Sequence, residues 1–225
     1  IKGSRKGYDI GELTNIYTAN HRRSDLVIQS IKKYVTSLKE VKGLGFCVSV
    51  DHAKYMSSYF NQKNIPSISL HGKSSPEERI TAQRKLVSGE INFIFVVDLY
   101  NEGIDIPEIN TVLFLRPTES LTVFLQQLGR GLRLADGKEC LTVLDFVGQA
   151  HKDYPFEEKF RALVGKTKHS IHHYIENGFF HLPKGSVIQM EKQAKDYILR
   201  NIKAARINKQ NLIAKIKHFE ADSGM

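Results

Sequence analysis

No apolar run in this chain approaches the roughly 20 residues needed to cross a bilayer, and no secretory leader is visible. The expected setting is therefore cytoplasmic, with no membrane partner. Cysteine is scarce. Cys47 and Cys140 are too few for a disulfide framework, and both fall in stretches expected to be buried strands, where a reduced thiol packs as a small hydrophobe. No Gly-x-Gly-x-x-Gly turn follows the first expected strand, which argues against a Rossmann dinucleotide site. A complete Walker A loop is missing too. Gly72-Lys73-Ser74 has its ending, but the loop needs another glycine five residues before Gly72, and position 67 is serine. Without that loop consecutive amides cannot cradle a phosphate, so 72–74 is not read as an ATP site. The chain begins at Ile1 rather than methionine, and is expected to be a piece of something longer.

What is present is enough for a real core: 225 residues, 41% of them hydrophobic. The net charge of +9 is unevenly placed. Residues 1–147 carry 19 Lys/Arg against 16 Asp/Glu, whereas 148–225 carry 14 against 8. An acidic polymer is the natural partner of the second, more basic part.

Residues 1–20 are polar and glycine-punctuated at Gly3, Gly7 and Gly11, and read as a linker or the entry to a lobe. From Ser24 to Lys39, Leu26, Val27, Ile31, Tyr34, Val35 and Leu38 recur at three and four, the pattern of an amphipathic helix capped by Ser24 or Asp25. Runs at 45–50, 67–70, 92–97, 111–115 and 137–147 read as strands, several of them apolar enough to be buried on both faces. Helices are expected between them: Asp51 to about Gln62, Pro76 to Ser88, and one opened by Ser120 with Leu121, Phe124, Leu125 and Leu128 on a single face. This alternation predicts an α/β fold with a parallel, doubly wound sheet, helices on both faces and ligand contacts at the carboxyl ends of the strands. Ser49, His71, Asp98 and the elbow at Gly103 all fall at such ends. Arg130 and Arg133 stand three apart, so on a helix or tight turn their heads can converge. Guanidinium groups give permanently charged, bidentate donors suited to a terminal phosphate. The plainer alternative is a basic helix end favoured by the macrodipole.

Two spaced patterns then meet a family. Asp98-x4-Gly103-x-Asp105 resembles motif V, and Gln126-x-x-Gly129-Arg130-x-x-Arg133 resembles motif VI, of the C-terminal RecA-like lobe of superfamily 2 helicases and translocases. Phe46-x-x-Ser49-x-x-x-Ala53 resembles their motif IV, and Leu70-His71-Gly72 the strand end beside the bound nucleic acid. Gly103-Ile104-Asp105-Ile106-Pro107 and Leu115-Arg116-Pro117-Thr118 resemble the restriction-enzyme and repair branch. The resemblance spans about Leu44 to Val147. It implies a RecA-like fold, with a linker and lead-in helix at 1–43, the helicase C-terminal domain at 44–165 and a basic helical extension at 166–225.

It further implies that Arg130 and Arg133 neutralise charge on the transferred phosphoryl group of ATP while Gln126 senses it. Gly103 and Asp105 would contact the nucleotide, and Ser49, His71, Gly72, Asp98 and Asn101 the nucleic acid. The cofactor set is ATP with Mg2+, the metal held mainly by an N-terminal RecA-like lobe that is the principal partner. The other partner is nucleic acid, read as DNA from the branch. The implied function is the second motor lobe of an ATP-dependent helicase or translocase, an ATP hydrolase only as part of the longer protein, so this chain alone is expected to be inactive. The alternative is a non-catalytic binding module that keeps the fold. Val97 departs from the family, where Thr or Ser often precedes the motif V aspartate, and removes a hydroxyl contact to the phosphate backbone.

Past Gly148, His151, His169, His172, His173 and His181 invite a metal reading, but no cysteine or well-spaced carboxylate completes a ligand set, so none is assigned. Ser186 to Phe219 contains no glycine or proline. Its apolar stripe at Ile198, Ile202, Ala205, Leu212, Ile216 and Phe219 reads as a helix packing on a further domain, a coiled-coil arm or a DNA-tracking helix. The apolar stripe favours packing, with the basic face adding nonspecific backbone affinity.

Overall fold

The computed structural model describes residues 3–4, 7–97, 106–117, 129, 135–146, 154, 156–165, 169–180, 182 and 186–205. The chain divides into two compact units, Ile1–Gln149 and Ala150–Met225.

The first unit opens on two short antiparallel strands, β1 (Gly3–Ser4) and β2 (Gly7–Tyr8), followed by helix α1 (Ile10–Thr18). Of the two expectations for 1–20, this helix fits the entry to a lobe and not a linker. The Asp9 carboxylate accepts the Glu12 amide as an N-cap, and Leu13 and Tyr17 are buried one turn apart. Gly11 costs such a helix about 1 kcal/mol relative to alanine, which burial of those two side chains offsets. Helix α2 (His21–Tyr34) begins before the expected Ser24, because the Asn20 side chain takes the Arg23 amide. Its buried stripe is Ser24, Val27, Ile28 and Ile31, which leaves Leu26 55% exposed rather than on the core face.

Five parallel strands follow: β3 (Gly43–Phe46), β4 (Ser67–Leu70), β5 (Phe93–Val96), β6 (Thr111–Phe114) and β7 (Thr142–Asp145), in the spatial order β4-β5-β3-β6-β7. Strand β3 runs earlier than the expected 45–50, since Ser49 already caps helix α3 (Val50–Gln62). Helix α4 (Pro76–Ser88) matches its expected bounds, with a Ser75–Glu78 capping box and left-handed Gly89 at its end. Cys47 is buried, but Cys140 is exposed and precedes β7, so the second cysteine is not in a buried strand.

The strands' period of two divides the core into layers. Leu44, Phe46, Ile94, Val96, Val112 and Phe114 pack with Ala82 and Leu86 of α4. Phe93, Phe95, Leu113 and Leu115 face the other way, onto α2 and α3. On that second face β3 offers only Gly43 and Gly45, in register with Phe93 and Phe95. A Cβ at Gly45 would lie 2.5 Å from the Phe95 ring, and one at Gly43 would overlap Phe93, so the glycines make room for the rings. Phe60 of α3 meets both rings edge-on, at 5.3 and 4.9 Å between centroids.

At the amino edge of the sheet, asparagine side chains close the backbone. Asn92 Nδ2 donates to the carbonyls of Leu38 (2.8 Å) and Val41 (3.3 Å). Asn110 accepts the Lys42 amide at 2.9 Å and donates to the Glu40 carbonyl at 2.8 Å.

In the second unit, α5 (Phe156–Val164) and α6 (Ile171–Asn177) precede a helix at 192–205. Ile198 and Ile202 are buried, as the apolar stripe predicts, but 186–191 are not helical; 206–225, with Leu212, Ile216 and Phe219, lie outside the described residues.

Candidate functional site

Because all five strands are parallel, their carboxyl ends share one edge. His71 follows β4, Val97 follows β5, Ser49 lies just beyond β3, Leu115 follows β6 and Phe146 follows β7. From β3 the chain passes through α3 to β4 on one side of the sheet, whereas β6 is succeeded by β7 on the other. The gap between β3 and β6 is thus a topological switch point, the usual seat of a ligand in open α/β sheets.

Ser49 and His71, expected to contact nucleic acid, are brought to this edge with β5 between their strands, which places the strands roughly 10 Å apart at the usual spacing. Ser49 is the N-cap of α3: its Oγ accepts the His52 amide at 3.2 Å. The Thr14 hydroxyl lies 2.8 Å from Ser49 Oγ and 2.7 Å from the Ile10 carbonyl. Thr14 has one proton for two acceptors, so when it serves Ile10 it is Ser49 that donates to Thr14. The hydroxyl expected to grip phosphate is thus held by α1, which leaves the first amides of α3, without intrahelical acceptors, as the alternative donors.

His52 sits directly behind. It is 1% exposed, its Nδ1 accepts the Val48 amide at 3.3 Å, and its ring lies 5.2 Å from that of Tyr17. Burial, helped by the charge of Arg23, pushes its pKa down to about 3. It is a neutral acceptor that holds the backbone leading into Ser49, more than the simple helix-start residue its position indicates. Burial likewise drives the Cys47 thiol well above its ordinary range, which keeps it protonated and inert.

At the β4 end, the His71 amide donates to Ser74 Oγ at 3.2 Å and His71 Nδ1 accepts the Lys73 amide at 3.3 Å. This local turn is unlike a Walker loop. Arg79 of α4 donates to the Gly72 carbonyl at 3.2 Å. Gly72 is exposed, and a Cβ there would meet nothing within 4 Å, so the chain's own packing does not require glycine.

The other expected site residues, Asp98, Asn101, Gly103, Asp105, Gln126, Arg130 and Arg133, lie outside the described residues; Gly129 is described as helical and exposed. Val97 is partly buried. Among the described residues no group of three or more His, Cys, Asp or Glu side chains could hold a metal, and no helix is long and apolar enough to cross a membrane. Sequence reasoning missed Thr14, Tyr17 and Arg23. The cap Asp9-x-x-Glu12 with Leu13 and Tyr17 one turn apart could have revealed the helix that carries Thr14 and Tyr17, but not their place at this edge, and nothing local points to Arg23.

Residues 26–135 match the family described as helicase conserved C-terminal domain. IRC3 of Saccharomyces cerevisiae is 32% identical over 117 residues, covering 52% of this chain and 17% of that protein. UvrABC system protein B of Psychromonas ingrahamii is 29% identical over 186 residues, covering 76% of this chain and 25% of that protein. The chain thus aligns with a quarter or less of either relative. Among solved structures, the yeast DEAD-box splicing factor Prp28 superposes with a TM-score of 0.57 at 16% identity, over 80% of this chain and 34% of that one. At that identity the likeness is one of fold, and the fold is RecA-like.

Proposed function

We propose, from the premise that residues 26–135 are the C-terminal RecA-like lobe of a superfamily 2 helicase, that this chain is the second motor lobe of an ATP-dependent helicase or translocase acting on DNA. The observation that carries the reading is the pairing of Asp98-x4-Gly103-x-Asp105 with Gln126-x-x-Gly129-Arg130-x-x-Arg133 inside the matched domain. Ser49 and His71 on one carboxyl edge support it. When bound, ATP supplies the phosphoryl group transferred to water, its Mg2+ held mainly by the N-terminal lobe.

Arg130 and Arg133 carry the charge that builds on that group, a role worth about 10³ to 10⁵ in turnover, or roughly 4–7 kcal/mol. Gln126 orients on the same group, and Gly103 with Asp105 face the nucleotide. Ser49, His71, Gly72, Asp98 and Asn101 follow the nucleic-acid backbone. The amides at the start of α3 take a phosphate more readily than the Ser49 hydroxyl, which Thr14 already engages. Half of the nucleotide site belongs to the other lobe, so this chain alone hydrolyses no ATP. The lean to DNA rests on the restriction and repair character of the 103–118 segment.

The test is Arg130→Ala and Arg133→Ala in the full-length protein. Each is expected to lower nucleic-acid-stimulated ATP turnover by about 10³ or more, with nucleic-acid affinity within a few-fold of the parent. Retained turnover contradicts the assignment. A full-length protein that binds nucleic acid without hydrolysing ATP at all is the outcome expected of a non-catalytic module. Stronger stimulation by single-stranded RNA than by DNA of equal length would overturn the choice of polymer.

A further inference from the structure

Arg23 is a partly buried cation to which the proposed reaction assigns no role. It projects from the first turn of α2 to the carboxyl edge of the sheet, where its Nη2 lies 3.3 Å from the Leu115 carbonyl oxygen and 3.5 Å from that of Phe146. Its guanidinium carbon stands 4.2 Å from the centre of the Tyr17 ring. Leu115 and Phe146 each follow the last paired residues of their strands, Phe114 and Asp145. One charge thus bridges the exits of two neighbouring strands and rests on a third element, α1.

Enclosing a guanidinium is costly unless its donors are used. Burial pulls the Arg23 pKa down, and Tyr17, Asp145 and Cys47 pull it back. Its contacts to two carbonyls and to the Tyr17 ring offset part of that cost and tie the charge to the strand exits. The chain leaving Leu115 reaches Gln126 eleven residues later, and Arg130 and Arg133 soon after. We propose that Arg23 is a positioning residue for phosphoryl transfer, which fixes the exits of β6 and β7 and thereby the root of the segment that carries the phosphate-facing side chains. This deepens the motor-lobe reading and rests on it.

The experiment uses the full-length protein with Arg23→Lys, which keeps the charge but lacks the planar face lying on Tyr17, and with Tyr17→Leu, which leaves the guanidinium without its ring. The measured quantities are kcat and KM for ATP at saturating nucleic acid, the affinities for ADP and for ADP–aluminium fluoride, and the thermal midpoint. Arg23→Lys is expected to lower kcat about ten-fold and to weaken ADP–aluminium fluoride by a similar factor, while KM and ADP affinity stay within about two-fold, the signature of an effect confined to the transition state. Tyr17→Leu is expected to do the same to a smaller degree. In an Arg130→Ala background, Arg23→Lys should weaken ADP–aluminium fluoride no further, because both act on one step.

An unchanged kcat in a folded Arg23→Lys protein overturns the proposal. So does a loss of activity in both variants that only tracks their unfolded fraction, or full additivity with Arg130→Ala. A parent without stimulated ATP turnover, or one indifferent to Arg130→Ala, overturns the motor-lobe reading and this inference together, and is distinguishable from a parent that needs Arg130 but not Arg23.

Discussion

The two edges of the central sheet are built from different chemistry. At the amino edge, Asn92 and Asn110 bind the turn from Leu38 to Lys42, with neutral amides on backbone groups at 2.8 to 3.3 Å. At the carboxyl edge stand Arg23, neutral His52, the Ser49 cap and His71, bound in part to one another and to strand ends. Carboxamides neither titrate nor carry charge, so the order they give the amino edge depends on neither pH nor ligand; a charged contact there is Lys138 Nζ donating to the Pro107 carbonyl at 2.9 Å. The carboxyl edge instead holds a partly buried Arg23 and a buried His52, each of which burial penalises in its charged form. The contrast sets an edge bound by neutral carboxamides against one that carries charge at the strand exits, which is where the proposed function puts its phosphate contacts.

The largest expected break in that contrast is Asn92→Ala. It leaves the Leu38 and Val41 carbonyls without this donor, and should cost about 2 kcal/mol of unfolding free energy. Denaturant titration measures the loss, and ATP turnover of the full-length protein below its melting point should stay within two-fold. A large fall in turnover would show that the amino edge is not merely structural.

Acid should weaken the carboxyl edge through His52 and leave the carboxamide contacts of the amino edge unchanged. The folded pKa of His52, about 3, lies below its ordinary 6.5, so the unfolded chain takes up the extra proton. Its contribution is complete above about pH 6.5 and is lost as pH falls towards 3, at about 1.4 kcal/mol per pH unit. Unfolding curves of parent and His52→Gln between pH 7 and 5 should converge as pH falls. Parallel curves would mean that His52 is not neutral in the folded chain.

The smallest effect is expected of Ser49→Ala, about 1 kcal/mol for a lost N-cap. Its affinity for nucleic acid should fall by less than about three-fold if the α3 amides, rather than the hydroxyl, meet phosphate. A loss of ten-fold or more would return that contact to the hydroxyl and sharpen the picture of the edge.

Much of the sheet was legible in the sequence, because short branched and aromatic runs punctuated by Gly, Pro and Ser leave few alternatives. Strand Ser67–Leu70 and helix Pro76–Ser88 fall at their expected bounds, the latter because Ser75, Pro76 and Gly89 each act locally. Strand β3 was displaced because Gly43 reads as a breaker, although it is the residue that admits the Phe93 ring from the neighbouring strand. Helix α1 was lost for a similar reason: Gly11 and the polar surroundings outweigh Leu13 and Tyr17 until α3 is there to bury them. Cys140 looked buried by its apolar neighbours, yet the strand starts after it. At the carboxyl edge, motif spacing placed Ser49 and His71. The partners Thr14, Tyr17 and Arg23 come from a distant stretch, and no local pattern links them to the edge.

Amide hydrogen exchange of the full-length protein, with and without single-stranded DNA and a non-hydrolysable ATP analogue, compares the two edges directly. Protection is expected to rise at 47–53 and 71–75 and to stay unchanged at 38–42 and 108–111. Ligand-induced protection confined to the amino-edge segments, with 47–53 and 71–75 unaffected, would contradict the assignment of the carboxyl edge as the working face.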